Sequence, residues 1–285
     1  MTDAASIPFR KMNGLGNDFV VLDARTRSLA LGAEGARRIG DRRTGVGCDQ
    51  VIVIEPSQKA DVFMRIFNAD GSEVSACGNA TRCVALIAAE EAGRPEVSVE
   101  TSAGLLKAKV DSADSITIDM GKPRFLWNEI PLAEPFEDTT GIELQIGPID
   151  APVLHTPSVV NVGNPHAIFW VDDVNAYDLD RFGPLLENHP IFPERANISL
   201  AQVTSRNGLN LKTWERGAGL TRACGTAACA AAVAAARKGL TDRKVAVKLP
   251  GGTLFIEWAE NDHILMRGPA ELEFEGTLAP DTLVR

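Results

Sequence analysis

The feature that most constrains the fold of this chain is an internal repeat. Residues 75–80 and 222–227 both place a cysteine between an alanine and a glycine, and these cysteines, Cys77 and Cys224, stand 147 residues apart. Further pairs follow in the same order, at that offset or one residue beyond it: 16–17 with 163–164, 50–53 with 197–200, 97–99 with 245–247, and 103–104 with 251–252. Matches that keep their order at nearly constant spacing indicate a duplicated fold, with one residue inserted between the two blocks.

Each half has the same predicted order of elements: strand, short helix, strand, a turn with the Cys-Gly pair, an alanine-rich helix and further strands. The alanine-rich segments 79–91 and 226–237 contain strong helix formers, and Gly93 and Gly239 follow them as residues suited to end a helix. Both segments are apolar nearly all round, which is typical of buried helices. We therefore predict an α/β (α+β) fold of two pseudosymmetric lobes, each a curved, mostly antiparallel sheet around a central helix.

The composition excludes several classes of protein. With 45% hydrophobic and 24% charged residues over 285 positions, the chain is typical of a globular protein with a core of its own. A net charge of −9, with no Lys/Arg run longer than two, argues against a nucleic-acid or membrane-surface partner. We find neither an apolar span of roughly 20 residues nor a secretory signal, and the odd number of cysteines lacks a CxxC motif. We therefore expect a cytoplasmic protein.

The two repeated cysteines precede predicted helices, and this position suits acid–base chemistry. The first turn of a helix has unpaired N–H groups and a partial positive charge, which should lower the pKa of a cysteine there toward neutrality and bind a carboxylate. Two thiols on opposite faces of a carbon suit removal of a proton from one face and its return to the other. We expect Cys48, Cys83 and Cys229 to be structural.

The sequence offers little support for a metal or nucleotide site. Zinc sites need closely spaced ligands, and no two of the four histidines, His155, His166, His189 and His263, have such a spacing. Neither of the common glycine-rich phosphate-binding motifs follows a predicted strand. We therefore predict a site without a metal or a nucleotide.

Several motifs together resemble the diaminopimelate epimerase family. In sequence order they are KMNGLGNDF (11–19), DR (41–42), GVG (45–47), DQ (49–50), FNADGSE (67–73), ACGN (76–79), NVGNPH (161–166), RAN (195–197), ERGAG (215–219) and ACGT (223–226). The resemblance extends from about residue 8 to residue 270. Leu220 and Ala227 depart from it, since many members have an acidic residue and a glycine there.

The resemblance implies an isomerase that interconverts LL- and meso-2,6-diaminopimelate without a cofactor, in lysine and peptidoglycan-precursor synthesis. It also implies one lobe formed by residues 1–125 with 271–285 and a second formed by residues 126–270, with the active site in the cleft between them. We further expect a homodimer, with the small-molecule substrate as its other partner.

Site residues follow from the same resemblance. Cys77 and Cys224 correspond to the two-base pair, and Glu215 and His166 are expected beside the thiols and the reacting amine. The residues expected to hold the reacting carboxylate are Gly78, Asn79, Gly225 and Thr226. The residues expected to contact the substrate, several of them at its distant stereocentre, are Asn13, Gln50, Asn68, Asn164, Asn197 and Arg216.

The residue chemistry agrees with this assignment. Asn and Gln both donate and accept hydrogen bonds, so they suit the zwitterionic ends of such a substrate. Arg216 suits bidentate binding of a carboxylate, and Glu215 suits an ammonium group, which makes it a substrate-binding candidate as well. Each has a structural alternative: the asparagines could shape turns, Glu215 and Arg216 could be solvated surface, and His166 could be packed in the core.

Other functions also fit part of the pattern. A proline or hydroxyproline racemase also pairs two cysteines, but its substrate has one carboxylate, which the polar set around Arg216 disfavours. A phenazine-biosynthesis-like isomerase has a similar architecture but would not need both Cys77 and Cys224. From another class, a thiol redox or ligand-binding protein could use a disulfide between these two cysteines.

Overall fold

The structure, a computed structural model, describes residues 6–283. Its helices are α1 (Ala33–Gly40), α2 (Gly78–Ala92), α3 (Leu179–Glu187) and α4 (Gly225–Arg237), with a 3-10 turn at Pro280–Thr282. The strands before residue 120 are β1 (Ile7–Gly14), β2 (Asn17–Asp23), β3 (Gln50–Glu55), β4 (Val62–Asn68), β5 (Glu73–Val74), β6 (Glu96–Thr101), β7 (Gly104–Ser112) and β8 (Ser115–Asp119). The later strands are β9 (Gln145–Ile146), β10 (Leu154–His155), β11 (Ser158–Asn161), β12 (Pro165–Trp170), β13 (Asn197–Ser205), β14 (Gly208–Glu215), β15 (Gly219–Thr221), β16 (Lys244–Leu249), β17 (Gly252–Trp258), β18 (Ile264–Gly268) and β19 (Glu271–Leu278).

The chain divides into two compact units, and each contains a mostly antiparallel sheet. The first unit comprises the residues up to Ile118 together with those from Gly268 onward, and the second comprises Asp119–Arg267. In the first unit the strand order is β19-β1-β2-β3-β4-β6-β7, with β5 also paired to β4. In the second unit the order is β11-β12-β13-β14-β16-β17-β18, with β15 also paired to β14. The parallel pairs, β2/β3 and β4/β6, recur in the second unit as β12/β13 and β14/β16.

The register of the strands repeats as well. Facing pairs in the first unit recur 147 residues later in the second: Phe19–Gln50 as His166–Asn197, and Ile66–Val74 as Thr213–Thr221. After the alanine-rich helices one more residue intervenes, so that Val62–Val99 recurs as Leu209–Val247. The duplication and the one-residue insertion predicted from the sequence are therefore confirmed at the level of individual strand pairs.

The alanine-rich helices lie at the centre of their units, as predicted. Residues 79–89 of α2 are at most 8% exposed, and residues 227–235 of α4 are at most 4% exposed. Helix α2 packs against β1, β4, β6 and β7, and α4 packs against strands from β11 to β17. Their small side chains let strands approach the helix from several directions, and Gly93, which is left-handed (φ 63°), ends α2. Most side chains of the two helices are thus buried in the core. The backbone N–H groups of the first turn remain available to polar groups.

The proline-rich connection from 123 to 152 has little regular structure, in line with its sequence. It contributes the short strand β9, and its apolar side chains pack into the core of the second unit. Ile130 and Ile142, for example, share a core cluster with Phe169 and Ile198. Within residues 6–283 no helix has the length and apolar character needed to cross a membrane.

Candidate active site

Cys77 caps the N-terminus of α2 with an extended backbone (φ −151°, ψ 111°). Its thiol donates to Asn17 Oδ1 over 3.8 Å, and the Asn79 side-chain amide donates to the same oxygen over 3.3 Å. The backbone N–H groups of Gly78 and Asn79 lie in the first helical turn, where N–H groups lack acceptors within the helix. A thiol and a set of anion-binding donors therefore lie together at this helix end.

The β1–β2 hairpin places Asn17 beside Cys77. Its two-residue turn, Leu15 and Gly16, has φ values of 64° and 81°, the two positive angles of a type I′ turn. Asn13 Oδ1 accepts from the Gly16 N–H over 2.7 Å, and Asn13 Nδ2 donates to Glu273 over 3.0 Å. Asn13 therefore shapes the turn from which Asn17 begins β2.

A network of charged residues orients the Asn17 side chain. Asn17 Nδ2 donates to Asp49 Oδ2 over 2.8 Å, and Arg42 bridges Asp49 and Asp18 over 2.7 and 2.8 Å. The Lys11 ammonium also pairs with Asp18, and this lysine is only 5% exposed. Although burial alone would raise the pKa of Asp18, hydrogen bonds from Arg42 and Lys11 hold it well below the usual range. Asp18 therefore remains ionised and holds Arg42, and Asp49, which pairs with the same arginine, orients the Asn17 amide.

Gln50 and Asn68 lie opposite each other at the ends of β3 and β4. Gln50 Nε2 donates to Asn68 Oδ1 over 3.0 Å, and Asn68 Nδ2 donates to Ser72 Oγ over 3.0 Å. Gln50 Oε1 is buried, and among the described residues it has no hydrogen-bond partner. A buried acceptor without a donor is costly, so this oxygen suits a donor on a bound ligand.

Cys224 caps α4 as Cys77 caps α2, with an extended backbone (φ −125°, ψ 109°). The Thr226 hydroxyl lies 3.4 Å from its sulfur and accepts from Asn164 Nδ2 over 3.4 Å. Asn164 and Thr226 stand 147 residues after Asn17 and Asn79. The structure thus places an asparagine, a polar first-turn residue and a cysteine together in both units.

The environment of Cys224 contradicts one expectation from the sequence. Burial, followed by the negative charge of Glu215, raises the pKa of the Cys224 thiol well above its usual range. The Thr226 hydroxyl and the Ala227 backbone N–H act in the opposite direction but do not prevail. The sequence predicted a pKa lowered toward neutrality by the helix N-terminus. That prediction is wrong for Cys224 because the residue is only 5% exposed and its thiol lies beside the Glu215 carboxylate.

His166 is completely buried on β12. Burial, and to a lesser extent the charge of Arg216, lowers its pKa to about 3, so the ring is neutral at physiological pH. Its Nε2 donates to Asn164 Oδ1 over 2.8 Å. Within residues 6–283 its Nδ1 has no hydrogen-bond partner. The ring therefore orients the Asn164 amide, which in turn reaches Thr226.

Asn197, Glu215 and Arg216 lie together where β13 begins and β14 ends. Asn197 is 2% exposed; its Nδ2 donates to Pro165 O over 3.0 Å, and its Oδ1 accepts from the Arg216 backbone N–H over 3.0 Å. The half-buried Arg216 donates from Nη1 to Glu194 O over 2.9 Å, which leaves other guanidinium N–H groups for a ligand. Glu215 accepts from the Thr221 hydroxyl over 2.5 Å.

Sequence comparisons assign the chain to a family. A sequence model of diaminopimelate epimerase matches residues 9–126 and 158–273. The chain belongs to the diaminopimelate epimerase family. It is 57% identical over 283 residues to the diaminopimelate epimerase of Rhodopseudomonas palustris strain BisB18, covering 98% of this chain and 97% of the relative. It is 58% identical over 285 residues to the enzyme of Afipia carboxidovorans, covering 99% and 98%.

Membership of the family confirms the resemblance read from the motifs and places the chain among the isomerases that act on small molecules. Solved structures confirm the fold. A phenazine biosynthesis protein from Bacillus anthracis aligns with a TM-score of 0.63 at 19% identity, covering 96% of this chain and 99% of that chain. A hydroxyproline epimerase from Agrobacterium vitis aligns with a TM-score of 0.66 at 16% identity, covering 98% and 94%. At such identities these neighbours establish the α/β architecture alone.

Several residues that contact the candidate site or support it are not singled out by the sequence alone. Asn17 was absent from the predicted site, although it stands 147 residues before Asn164, which was included. That offset was the signal that could have identified it. Asp18, Arg42 and Asp49 were recognised only as motif residues, because their charge network forms between segments far apart in the chain.

The remaining cysteines have structural surroundings, as expected. Burial raises the pKa of Cys48 to about 11 and that of Cys83 to about 12, and Cys229 is completely buried in α4. Among residues 6–283 no three His, Cys, Asp or Glu side chains group as metal ligands.

The raised pKa of Cys224 leads to a prediction about its reactivity. At pH 8, iodoacetamide should modify Cys224 slowly, because the thiolate is the reactive form and the pKa of this thiol lies well above that pH. In Glu215→Gln the adjacent negative charge is lost, so the pKa should fall and modification at pH 8 should become severalfold faster. Peptide mass spectrometry gives both rates, with buried Cys83 as an internal control. Equal rates in the two proteins would contradict an electrostatic effect of Glu215.

Proposed function

We propose that this protein interconverts LL- and meso-2,6-diaminopimelate without a cofactor, and that Cys77 and Cys224 are its two proton-transfer groups. The observation that carries this proposal is the duplicated helix N-terminus, at which each unit presents a cysteine, an asparagine and first-turn N–H groups. With family membership, this assigns the enzyme to lysine biosynthesis. We place it in the cytoplasm, in keeping with its cysteine content.

The reaction moves a proton between the two faces of a carbon next to a carboxylate. One cysteine, as the thiolate, takes the α-proton and becomes a thiol, while the electron pair of the C–H bond passes into the carboxylate as enolate-like charge. The other cysteine, as the thiol, donates its proton to the opposite face and becomes a thiolate. The enzyme therefore ends each turnover with the two protonation states exchanged, which is the form that the reverse reaction requires.

The first-turn donors supply the electrostatic part of catalysis. We propose that N–H groups of Gly78, Asn79, Gly225 and Thr226 bind the reacting carboxylate. They would stabilise the negative charge that grows there in the transition state. This stabilisation is needed because the carbon is only weakly acidic and its proton is difficult to remove. We also propose that the Asn17 and Asn164 amides hold this arrangement in place, since each contacts the polar side chain of a first-turn residue.

The raised pKa of Cys224 supports a choice between the two resting forms. A thiol whose pKa is raised by burial and by Glu215 stays protonated at neutral pH. We therefore propose that Cys224 is the thiol in the resting enzyme and donates the proton in the direction of the reaction that starts from this form. In the reverse direction, a substrate ammonium group bound to Glu215 would offset its negative charge. The pKa of the Cys224 thiol would then fall, which would ease formation of the thiolate.

The polar residues around the cysteines suit the two charged ends of the substrate. Arg216 is proposed to bind the distant carboxylate, and the unpartnered Gln50 Oε1 is proposed to accept from an ammonium group. Asn13, Asn68, Asn164 and Asn197 complete the proposed substrate contacts. Asn197 also positions Arg216, because its Oδ1 accepts from the Arg216 backbone N–H.

The parts proposed for His166 and Glu215 follow from their contacts. The neutral, buried His166 ring bonds Asn164, so we propose that it positions this amide beside the reacting group. Glu215 acts on the Cys224 thiol through its charge and is proposed to bind the reacting ammonium. That either residue takes part directly in proton transfer stays a prediction.

Two other functions share part of this geometry. A proline or hydroxyproline racemase would use the cysteines but would leave Arg216 without a second carboxylate, and a substrate panel separates it from an epimerase of diaminopimelate. A thiol redox protein would need cycling of a disulfide, whereas epimerisation needs both thiols reduced. Activity measured in the continuous presence of dithiothreitol therefore distinguishes the two.

Heavy water tests the two-base mechanism directly. When LL-diaminopimelate is incubated in D₂O without cofactor, each meso molecule formed early should carry one deuterium at the inverted carbon, because the donating thiol has exchanged with solvent. Unreacted substrate should carry much less deuterium. Mass spectrometry and NMR measure both. Meso product without deuterium would exclude two separate bases.

The matched variants are Cys77→Ala and Cys224→Ala. Each should abolish nearly all epimerisation, because each direction needs one acid and one base. Cys48→Ala, which changes a buried thiol outside the proposed site, should keep activity. Near-normal turnover by either of the first two variants would leave that cysteine structural.

Arg216 provides a test of substrate recognition. Arg216→Leu should weaken transition-state binding of diaminopimelate by about 2–5 kcal/mol, because a carboxylate in the site loses its partner. Arg216→Lys should recover only part of this, since the paired N–H geometry is lost. The exposed Arg206, changed to Leu, is the control. An unchanged kcat/KM in Arg216→Leu would mean that this guanidinium is only surface.

We also propose a homodimer formed through the exposed face of β19. Leu272 and Phe274 share one face of this strand, and each is 49% exposed, which is unusual for large apolar side chains that lie side by side. Phe274→Asp together with Leu272→Asp should convert a dimer to a monomer in sedimentation experiments. Phe255→Asp changes a side chain of similar exposure, 48%, in the second unit and should keep the dimer. A monomeric wild-type protein would contradict the proposal.

A further inference from the structure

The second unit contains a cavity of about 490 Å³ that the epimerase reaction does not use. The cavity lies against β14, β15 and β16, and its apolar lining includes the exposed Leu220 and Pro250. Polar groups reach it from Asn175 and Asn210. Its volume falls within the roughly 300–1,000 Å³ typical of pockets for small molecules.

Three cations line this cavity: Lys212, Arg222 and Lys248. The lining contains no acidic side chain, although the chain as a whole carries a net charge of −9. Within residues 6–283 none of the three cations forms an ion pair or a side-chain hydrogen bond. Three uncompensated positive charges in one concave surface favour an anionic ligand.

The corresponding surface of the first unit carries carboxylates that pair with its cations. Arg65, the repeat counterpart of Lys212, pairs with Glu73 over 2.9 Å, and Glu100 accepts from Ser57 and pairs with Lys59. Glu73 and Glu100 stand at the repeat positions of Leu220 and Lys248. In the second unit both carboxylates have therefore been replaced, one by an apolar residue and one by a further cation.

We propose that this cavity binds an anionic small molecule in which a phosphate or diphosphate group adjoins an apolar or aromatic part. Lys212, Arg222 and Lys248 bind the phosphate oxygens, with Arg222 able to bond two of them at once. Leu220 and Pro250 contact the apolar part. The amides of Asn175 and Asn210 supply donors and acceptors for polar groups at its edge.

Calorimetric titration of the full-length protein tests this proposal with three probes. ADP carries both a diphosphate and an aromatic ring and should bind saturably. Inorganic pyrophosphate should bind more weakly, since it lacks the ring, and citrate tests a polycarboxylate of similar charge. Binding of ADP should weaken as the salt concentration rises, because exposed charges are screened. Absence of saturable binding by both ADP and pyrophosphate at millimolar concentrations would overturn the proposal, and so would citrate binding more tightly than ADP.

The repeat supplies the variants. Leu220→Glu and Lys248→Glu each restore a carboxylate that the first unit has at the equivalent position, so folding should be retained. Each should weaken ADP binding by about tenfold, because an attraction is lost or a repulsion is added. Lys122→Glu makes the same charge change outside the cavity and should leave binding unchanged. Arg216→Leu, which alters the proposed substrate site, should also leave it unchanged. Equal ADP affinity in Lys248→Glu and wild type would overturn the site.

Discussion

The burial of α2 and α4 on nearly all sides is the constraint on which the rest of the structure depends. The middle turns of both helices carry mostly Ala, Val, Cys, Leu and Ile side chains, which are stabilised by burial, so each unit packs its sheet around one such helix. The backbone N–H groups of the first turn remain, because no helical packing satisfies them. Polar residues must therefore gather at the helix N-terminus, and this requirement locates the cysteines and the groups around them.

In each unit, the asparagine beside the helix N-terminus is oriented by the residues that bond its side-chain amide. In the first unit, Lys11 and Arg42 pair with Asp18 and hold its pKa low, and Asp49 accepts a hydrogen bond from Asn17. In the second unit, a neutral histidine performs the equivalent task by bonding Asn164. The two units thus orient corresponding asparagines by different chemistry.

Duplication also explains why the proposed anion site belongs to one unit alone. A repeat keeps the backbone and the core, where changes are costly, whereas solvent-facing positions are free to diverge. The replacement of Glu73 and Glu100 by Leu220 and Lys248 occurs on the outward-facing side of strands whose inward faces still match. One fold therefore carries a neutralised surface in one copy and a cationic cavity in the other.

The sequence by itself determined the architecture and the position of one cysteine at the start of each buried helix. Its repeat predicted the duplicated α/β fold, and its alanine-rich segments predicted two buried helices, each with a cysteine at its start. The motifs predicted the family. Such features depend on local pattern and spacing, which a sequence displays directly.

Only the tertiary structure decided the protonation of Cys224, the neutrality of His166 and the place of Asn17. Burial and the charge of Glu215 reverse the pKa shift that the helix N-terminus suggested for Cys224. The ion network of Asp18, Arg42 and Asp49 and the unpaired cations of the cavity likewise appear only once distant strands are paired. The physical reason is that pKa values and hydrogen-bond partners depend on desolvation and on charges brought together from remote parts of the chain.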